Sequence, residues 1–131
     1  MGLRRLLIDT NIYSLAMKGE PDIIEILRKT SLIGISVICI GELVSGFKGG
    51  KYEKKNQEEL DLFLDSPRVR VYSVDEGTVE FYAFILDELR KTGNPIPTND
   101  IWIAATAFQQ GLTLFSKDRH FEKIPGLPLV V

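Results

Sequence analysis

Apolar positions along the chain fall into two patterns: short unbroken runs of Leu, Ile and Val, and longer stretches where they return every three or four residues. Residues 3–8 are the first run and read as a buried strand. Asp9, Thr10 and Asn11 supply a helix cap ahead of a short helix over 12–18. Gly19 and Pro21 break the chain before a second short helix over 22–29, with Ile23, Ile24 and Leu27 expected to face inward. Residues 32–36 read as strand two, and 37–47 as an apolar helix ended by Gly49 and Gly50. Residues 51–64 are strongly amphipathic, with Leu60, Phe63 and Leu64 opposite a row of Lys and Glu. Residues 69–74 alternate, which suggests a third strand more exposed than the first two. A long helix is expected over 75–92, with Val79, Tyr82, Leu86 and Leu89 on one stripe. A loop stiffened by Pro95 and Pro97 leads to a helix over 99–110, stopped by Gly111. Residues 112–115 give strand four and 127–131 a final edge strand.

Strands alternating with helices imply a three-layer α/β/α sandwich around a mostly parallel sheet. The chain has 131 residues and no repeat or linker, so one domain is expected over 1–131. With 44% apolar and 26% charged residues it has the balance of a soluble globular protein. Its one cysteine, Cys39, excludes an internal disulfide and a cysteine-based zinc site, and fits a reducing compartment. The start of the chain faintly mimics a signal peptide, but its apolar run is short and Asp9 stops it. Gly2 lacks the Ser or Thr that myristoylation requires, since position 6 is Leu. No stretch is long enough to span a membrane, and a cytoplasmic location is expected.

The formal net charge of −2 argues against a protein that grips nucleic acid through phosphate neutralisation alone. It stays compatible with a nuclease whose acidic pocket is neutralised by bound cations. In an open parallel sheet, function collects at the carboxyl ends of the strands. Asp9 ends strand one, and Asp118 lies just past strand four. Asp100 falls in the first turn of a helix whose leading loop opens on the same edge. Glu42 sits among Ile38, Cys39, Ile40, Leu43 and Val44, where an unpaired charge is expensive and needs a partner or a metal. Taken alone, Asp9 and Asp100 read equally well as helix caps, and Asp118 as the start of a turn. Four oxygen donors converging with a single histidine describe a site for a hard cation, Mg²⁺ or Mn²⁺, rather than zinc.

Four segments in order resemble the signatures of PIN-domain nucleases. They are Leu7-Ile8-Asp9-Thr10-Asn11-Ile12, Glu42-Leu43-x-x-Gly46, Thr98-Asn99-Asp100-x-x-Ile103-Ala104-Ala105-x-Ala107, and Phe115-Ser116-x-Asp118-x-x-Phe121. At this length the chain is similar to the VapC group, the toxin ribonucleases of toxin–antitoxin pairs. The resemblance implies a PIN-like α/β/α fold and an endoribonuclease dependent on Mg²⁺ or Mn²⁺. It places the metals on Asp9, Glu42, Asp100 and Asp118, with Asp100 and Asp118 also positioning or activating water. Thr10, Asn11, Thr98 and Ser116 match the supporting polar positions. The implied partners are an RNA substrate (tRNA or another structured or single-stranded RNA), a cognate antitoxin whose C-terminal segment enters the active-site groove, and a second copy of the chain in a homodimer. Many relatives carry Asn at the position of Lys117 and a further acid at that of His120. Lys117, Arg119 and His120 are therefore candidates for contact with substrate phosphate or for a part in proton transfer, although each alone reads more simply as exposed loop charge.

Other residues carry weaker readings. Arg4, Arg5, Lys51, Lys54, Lys55, Arg68 and Arg70 offer charge that could guide RNA, although Lys51, Lys54 and Lys55 are more simply the solvated face of a helix balanced by Glu53, Glu58 and Glu59. Trp102 is expected to pack in the core rather than stack on a base. Apolar faces around Ile23, Ile24 and Leu27 and around Phe81, Phe84 and Ile85 exceed what one small core needs, which again suggests a homodimer. A receiver-like phospho-acceptor module is the rival from another class, with Asp75 and Lys117 in its acceptor and lysine roles, but it leaves Glu42 and Asp100 unexplained. A haloacid-dehalogenase-like phosphatase needs an acid where Asn11 stands. A PIN-like module that only binds RNA or protein would carry four mutually repelling acids to no purpose.

Overall fold

A computed structural model of the chain describes residues 4–130. Leu3, Val131 and the acylation position Gly2 lie outside the described residues. The elements are β1 (Arg4–Ile8), α1 (Thr10–Met17), α2 (Pro21–Arg28), β2 (Thr30–Ser36), α3 (Val37–Phe47), α4 (Glu53–Leu64), β3 (Val69–Tyr72), α5 (Glu76–Thr92), α6 (Thr98–Gln110), β4 (Thr113–Phe115), a 3₁₀ turn (Arg119–Lys123) and β5 (Leu129–Val130). The five strands form one sheet in the order β3-β2-β1-β4-β5, with every pairing parallel.

That order locates the site. From β1 the chain steps through β2 to β3 on one side, then crosses back and places β4 on the other side of β1. Right-handed crossovers put α1–α4 on one face and α5–α6 on the other, giving the three-layer sandwich. The reversal falls between β1 and β4, whose last paired residues are Ile8 and Phe115. The crevice beyond those two positions is where such sheets bind ligands.

β1 is central and carries Leu6, Leu7 and Ile8 buried on both faces. The edge strand β3 has two exposed residues of four, Arg70 and Val71, in line with the more exposed position expected of it. It ends at Tyr72 rather than Val74, because Tyr72 is the last residue that pairs with β2. Gly34 in β2 is required by close approach: a Cβ there would come within 2.7 Å of the Tyr72 ring. On α5 the buried stripe runs through Thr78, Ile85 and Leu89, with Tyr82 and Leu86 beside it, whereas Val79 is 49% exposed. Ile23 and Leu27 of α2 are buried, but Ile24 is 42% exposed, since a helix this short presents one narrow stripe to its neighbours. Trp102 stacks on Tyr82 with ring centroids 3.9 Å apart, joining α6 to α5.

Candidate active site

The site begins with a helix cap. Asp9 leaves the end of β1 in extended conformation, and its Oδ1 accepts the Ile12 backbone N–H at 2.9 Å, starting α1. A solvent-exposed cap would stop there. Asp9 is only 4% exposed, and its Oδ2 accepts from the Ser116 hydroxyl just past β4. Ser116 in turn accepts the Asp118 backbone N–H at 2.9 Å. Residues 107 positions apart are thus fastened across the β1–β4 crevice.

Glu42 reaches the same crevice from α3. Its Oε1 accepts from the Thr10 hydroxyl on α1, and its Oε2 from the Asn99 side-chain amide on α6 at 3.1 Å. These partners answer the problem of a charge on an apolar helix: Cys39 and Leu43 point into the core while Glu42 points across the cleft. Asp100 lies in the first turn of α6, but Pro97 is the capping residue, and no side chain caps this helix. The Asp100 carboxylate instead faces His120, Oδ2 to Nδ1, at 3.1 Å. Asp118 starts the 3₁₀ turn by accepting the His120 N–H at 2.9 Å, and the same oxygen stands 3.2 Å from His120 Nδ1.

The structure brings Asp9, Thr10, Asn11, Glu42, Thr98, Asp100, Asp118 and His120 into one open cleft of about 460 Å³, with Asn99, Pro97 and Ile103 completing its lining. Ser116 lies buried behind it. Lys117 and Arg119 do not line it. Both are exposed, and Arg119 pairs with Glu122 at 3.2 Å. Asn99 is the cleft residue that motif reading missed. Its contact with Glu42 spans 57 positions and leaves no local mark in the sequence.

Several candidate basic residues are placed elsewhere. Arg4 and Arg5 start the strand that Asp9 follows, about 15 Å away along it. Arg68 donates to the backbone carbonyls of Leu27, Arg28 and Thr30, which commits it to the end of α2. Asp75, the acceptor of the receiver-like reading, caps α5 and accepts from Thr78 and from Gln109, and neither it nor Lys117 lines the cleft.

The electrostatics are those of crowded carboxylates. Burial raises Asp9 above the ordinary value of 3.8, and Asp118 and Asp100 raise it further, against the lowering pull of Ser116 and Ile12. Burial also raises Asp100, with Asp118 and Glu42 adding to the rise and His120 opposing it. A group of oxygens with one imidazole and no thiolate, carrying more negative charge than it wants, fits a divalent cation. Among the described residues, the donor atoms of Asp100, Asp118 and His120 lie within 4.8 Å of one another.

A parallel α/β/α sandwich with a carboxylate-lined cleft at its switch point is the class these observations define. The PIN domain profile matches residues 6–127, and the chain belongs to the PIN-domain family. It is 33% identical over 128 residues to Ribonuclease VapC2 of Rickettsia felis, covering 94% of each chain. It is 27% identical to Ribonuclease VapC4 of Mycobacterium tuberculosis, covering 99% of this chain and 98% of that one. Among solved structures, VapBC from Salmonella typhimurium bound to DNA superposes with a TM-score of 0.84 at 28% identity, covering 97% of each chain. No helix among the described residues is long and apolar enough to cross a membrane.

Proposed function

We propose that the chain is a divalent-metal-dependent endoribonuclease, the toxin of a toxin–antitoxin pair, and that Asp9, Glu42, Asp100 and Asp118 form its catalytic and metal-holding group. The observation that carries this reading is the convergence of these four carboxylates from four separate segments on one cleft. Ribonuclease names among the relatives supply the substrate class, and the solved VapBC structures similar to this chain supply the kind of partner. Mg²⁺ and Mn²⁺ are the ions proposed. When bound, such an ion lowers the pKa of a coordinated water and offsets charge on the phosphate oxygens.

The chain's own residues do the rest. Ser116 and the Ile12 N–H hold Asp9 on both oxygens, while Thr10 and Asn99 do the same for Glu42, so these carboxylates are oriented before substrate arrives. Asn11 and Thr98 line the cleft, exposed, and can donate to phosphate oxygens of a bound RNA. A small antitoxin would silence the enzyme by covering this opening. One PIN-like domain then accounts for the whole activity. Self-association belongs to the proposal too, on a reduced apolar surplus: Ile23, Leu27 and Ile85 are spent in the chain's own core, leaving Ile24 exposed on α2 and Phe84 exposed on α5 beside Phe81.

The test is purified protein incubated with end-labelled tRNA and single-stranded RNA, with Mg²⁺, with Mn²⁺ and with EDTA, beside Asp9→Asn. Discrete cleavage that needs metal and is lost in the variant is expected. Cleavage that survives both EDTA and the substitution sinks the proposal. Light scattering checks assembly, and a strictly monomeric mass removes the self-association.

A further inference from the structure

His120 is the cleft residue that the carboxylate argument leaves without a task. It sits on the 3₁₀ turn Arg119–Lys123, directly after Asp118 and Arg119. The turn sends Arg119 outward to Glu122 and brings Asp118 and His120 to the same side, facing Asp100. His120 Nδ1 stands 3.1 Å from Asp100 Oδ2 and 3.2 Å from Asp118 Oδ1. Two donors at right angles on an ion about 2.1 Å from each are about 3.0 Å apart. His120 Nδ1 therefore already stands at the spacing of a neighbouring ligand from one oxygen of each aspartate, and the three donors together lie within 4.8 Å.

The other two carboxylates are placed differently. Both oxygens of Asp9 and both of Glu42 accept a hydrogen bond from a protein donor, whereas in Asp118 it is Oδ1 that accepts one, from the His120 N–H. Neither joins a set of three candidate ligands within 4.8 Å among the described residues, whereas Asp100, Asp118 and His120 do.

We propose that His120 Nδ1 is itself a ligand of the divalent ion, completing an inner triad with Asp100 and Asp118, and that this nitrogen biases the site toward a first-row transition ion over Mg²⁺. The inference rests on the reading above that the cleft holds a divalent cation. Its chemistry is that of donor type. Mg²⁺ takes oxygen ligands and keeps its waters, whereas transition ions accept imidazole nitrogen readily. Neutral histidine can present a lone pair at Nδ1 while the hydrogen resides on Nε2. The same spacing serves an imidazole–carboxylate hydrogen bond, so the experiment must tell nitrogen bonded to metal from nitrogen bonded to hydrogen.

The chain contains a single histidine, which makes that possible. Tag-free protein is loaded with Mn²⁺ and examined by electron spin-echo envelope modulation. Affinities for Mn²⁺ and Mg²⁺ are measured by calorimetry in wild type, His120→Ala and His120→Asn, with circular dichroism confirming the fold. Imidazole nitrogen modulation is expected in wild type and in neither variant. Mn²⁺ affinity should fall at least about tenfold in His120→Ala while Mg²⁺ affinity falls less, so the preference narrows. In His120→Asn an amide oxygen can replace the nitrogen, and Mg²⁺ binding should hold while the Mn²⁺ preference shrinks. Mn²⁺ bound without nitrogen modulation overturns this inference alone and leaves the nuclease reading standing. Binding of neither ion overturns both.

Discussion

Asp9 and Asp75 occupy the same local position. Each follows a parallel strand, adopts extended backbone and starts the next helix by accepting a backbone N–H three residues on. Their surroundings could hardly differ more. Asp75 is exposed; hydrogen bonds from Gln109 first and then from Thr78 hold its carboxyl below the ordinary value, so its charge is welcome. Asp9 is buried between two strands with two other acids near enough to repel it, and its carboxyl is raised. A helix cap explains Asp75 in full. It leaves the cost of Asp9 unexplained, and an unexplained cost at the switch point of a sheet is the mark of a working residue. Motif and conformation do not separate the two; environment does.

The largest difference expected between the two aspartates is catalytic. Asp9→Asn should lower RNA cleavage by about a hundredfold or more, the scale seen when a group acting on the transition state is removed. Asp75→Asn should leave the cleavage rate within about twofold of wild type, because its side chain touches α5 and α6 and not the cleft. Equal losses in the two variants would erase the distinction.

A second, smaller effect is on stability. A cation bound to the cleft and not to the unfolded chain stabilises by about 2.7 kcal/mol at one hundred times its dissociation constant. Thermal melts with and without Mn²⁺ should show that gain in wild type and in Asp75→Asn, and a blunted gain in Asp100→Asn. The same gain in all three would place the ion outside the cleft.

Asn99 refines the picture further. Its side-chain amide donates to Glu42 Oε2, which makes it a positioning residue for that carboxylate. Asn99→Ala should lower kcat about tenfold with little change in KM, while circular dichroism shows the fold unchanged. A KM rise with unchanged kcat would instead mean that Asn99 binds RNA directly.

That residue also shows where sequence reading ended. The parallel sandwich was legible because unbroken apolar runs such as 6–8 differ from stretches such as 82–89, where Tyr82, Leu86 and Leu89 return at helical spacing. The four acids were legible because each sits beside a strand end or on an apolar helix, where its type is conspicuous. Asn99 was not, since an Asn before Asp at a helix start looks like local capping and its partner lies on another helix. The 3₁₀ turn at 119–123 is too short to carry a period, so nothing in the sequence separated His120, as a contact for phosphate or as loop charge, from Lys117 and Arg119; the turn aims His120 at Asp100 and Asp118. Val79 and Ile24 failed in the opposite way: both are apolar and at helical spacing, yet each lies just off the stripe that packing selected.

The subtlest separation of the two aspartates is in the pH dependence of the metal-free protein. A raised carboxyl such as Asp9 contributes stability that is present below 3.8 and is lost as pH rises through its folded value. A lowered one such as Asp75 contributes stability that is present above 3.8 and is lost as pH falls through its folded value. Melting curves in EDTA should therefore show Asp9→Asn gaining on wild type as pH rises from the acid range toward neutrality. Asp75→Asn should trail wild type near neutrality by a few degrees and close the gap as the solution is made more acid than 3.8. It is the slopes that decide, because each substitution also changes a hydrogen bond and shifts the whole curve. Parallel slopes for the two variants would mean that burial and neighbouring acids do not set Asp9 apart, and the physical ground for separating a working carboxylate from a cap would be gone.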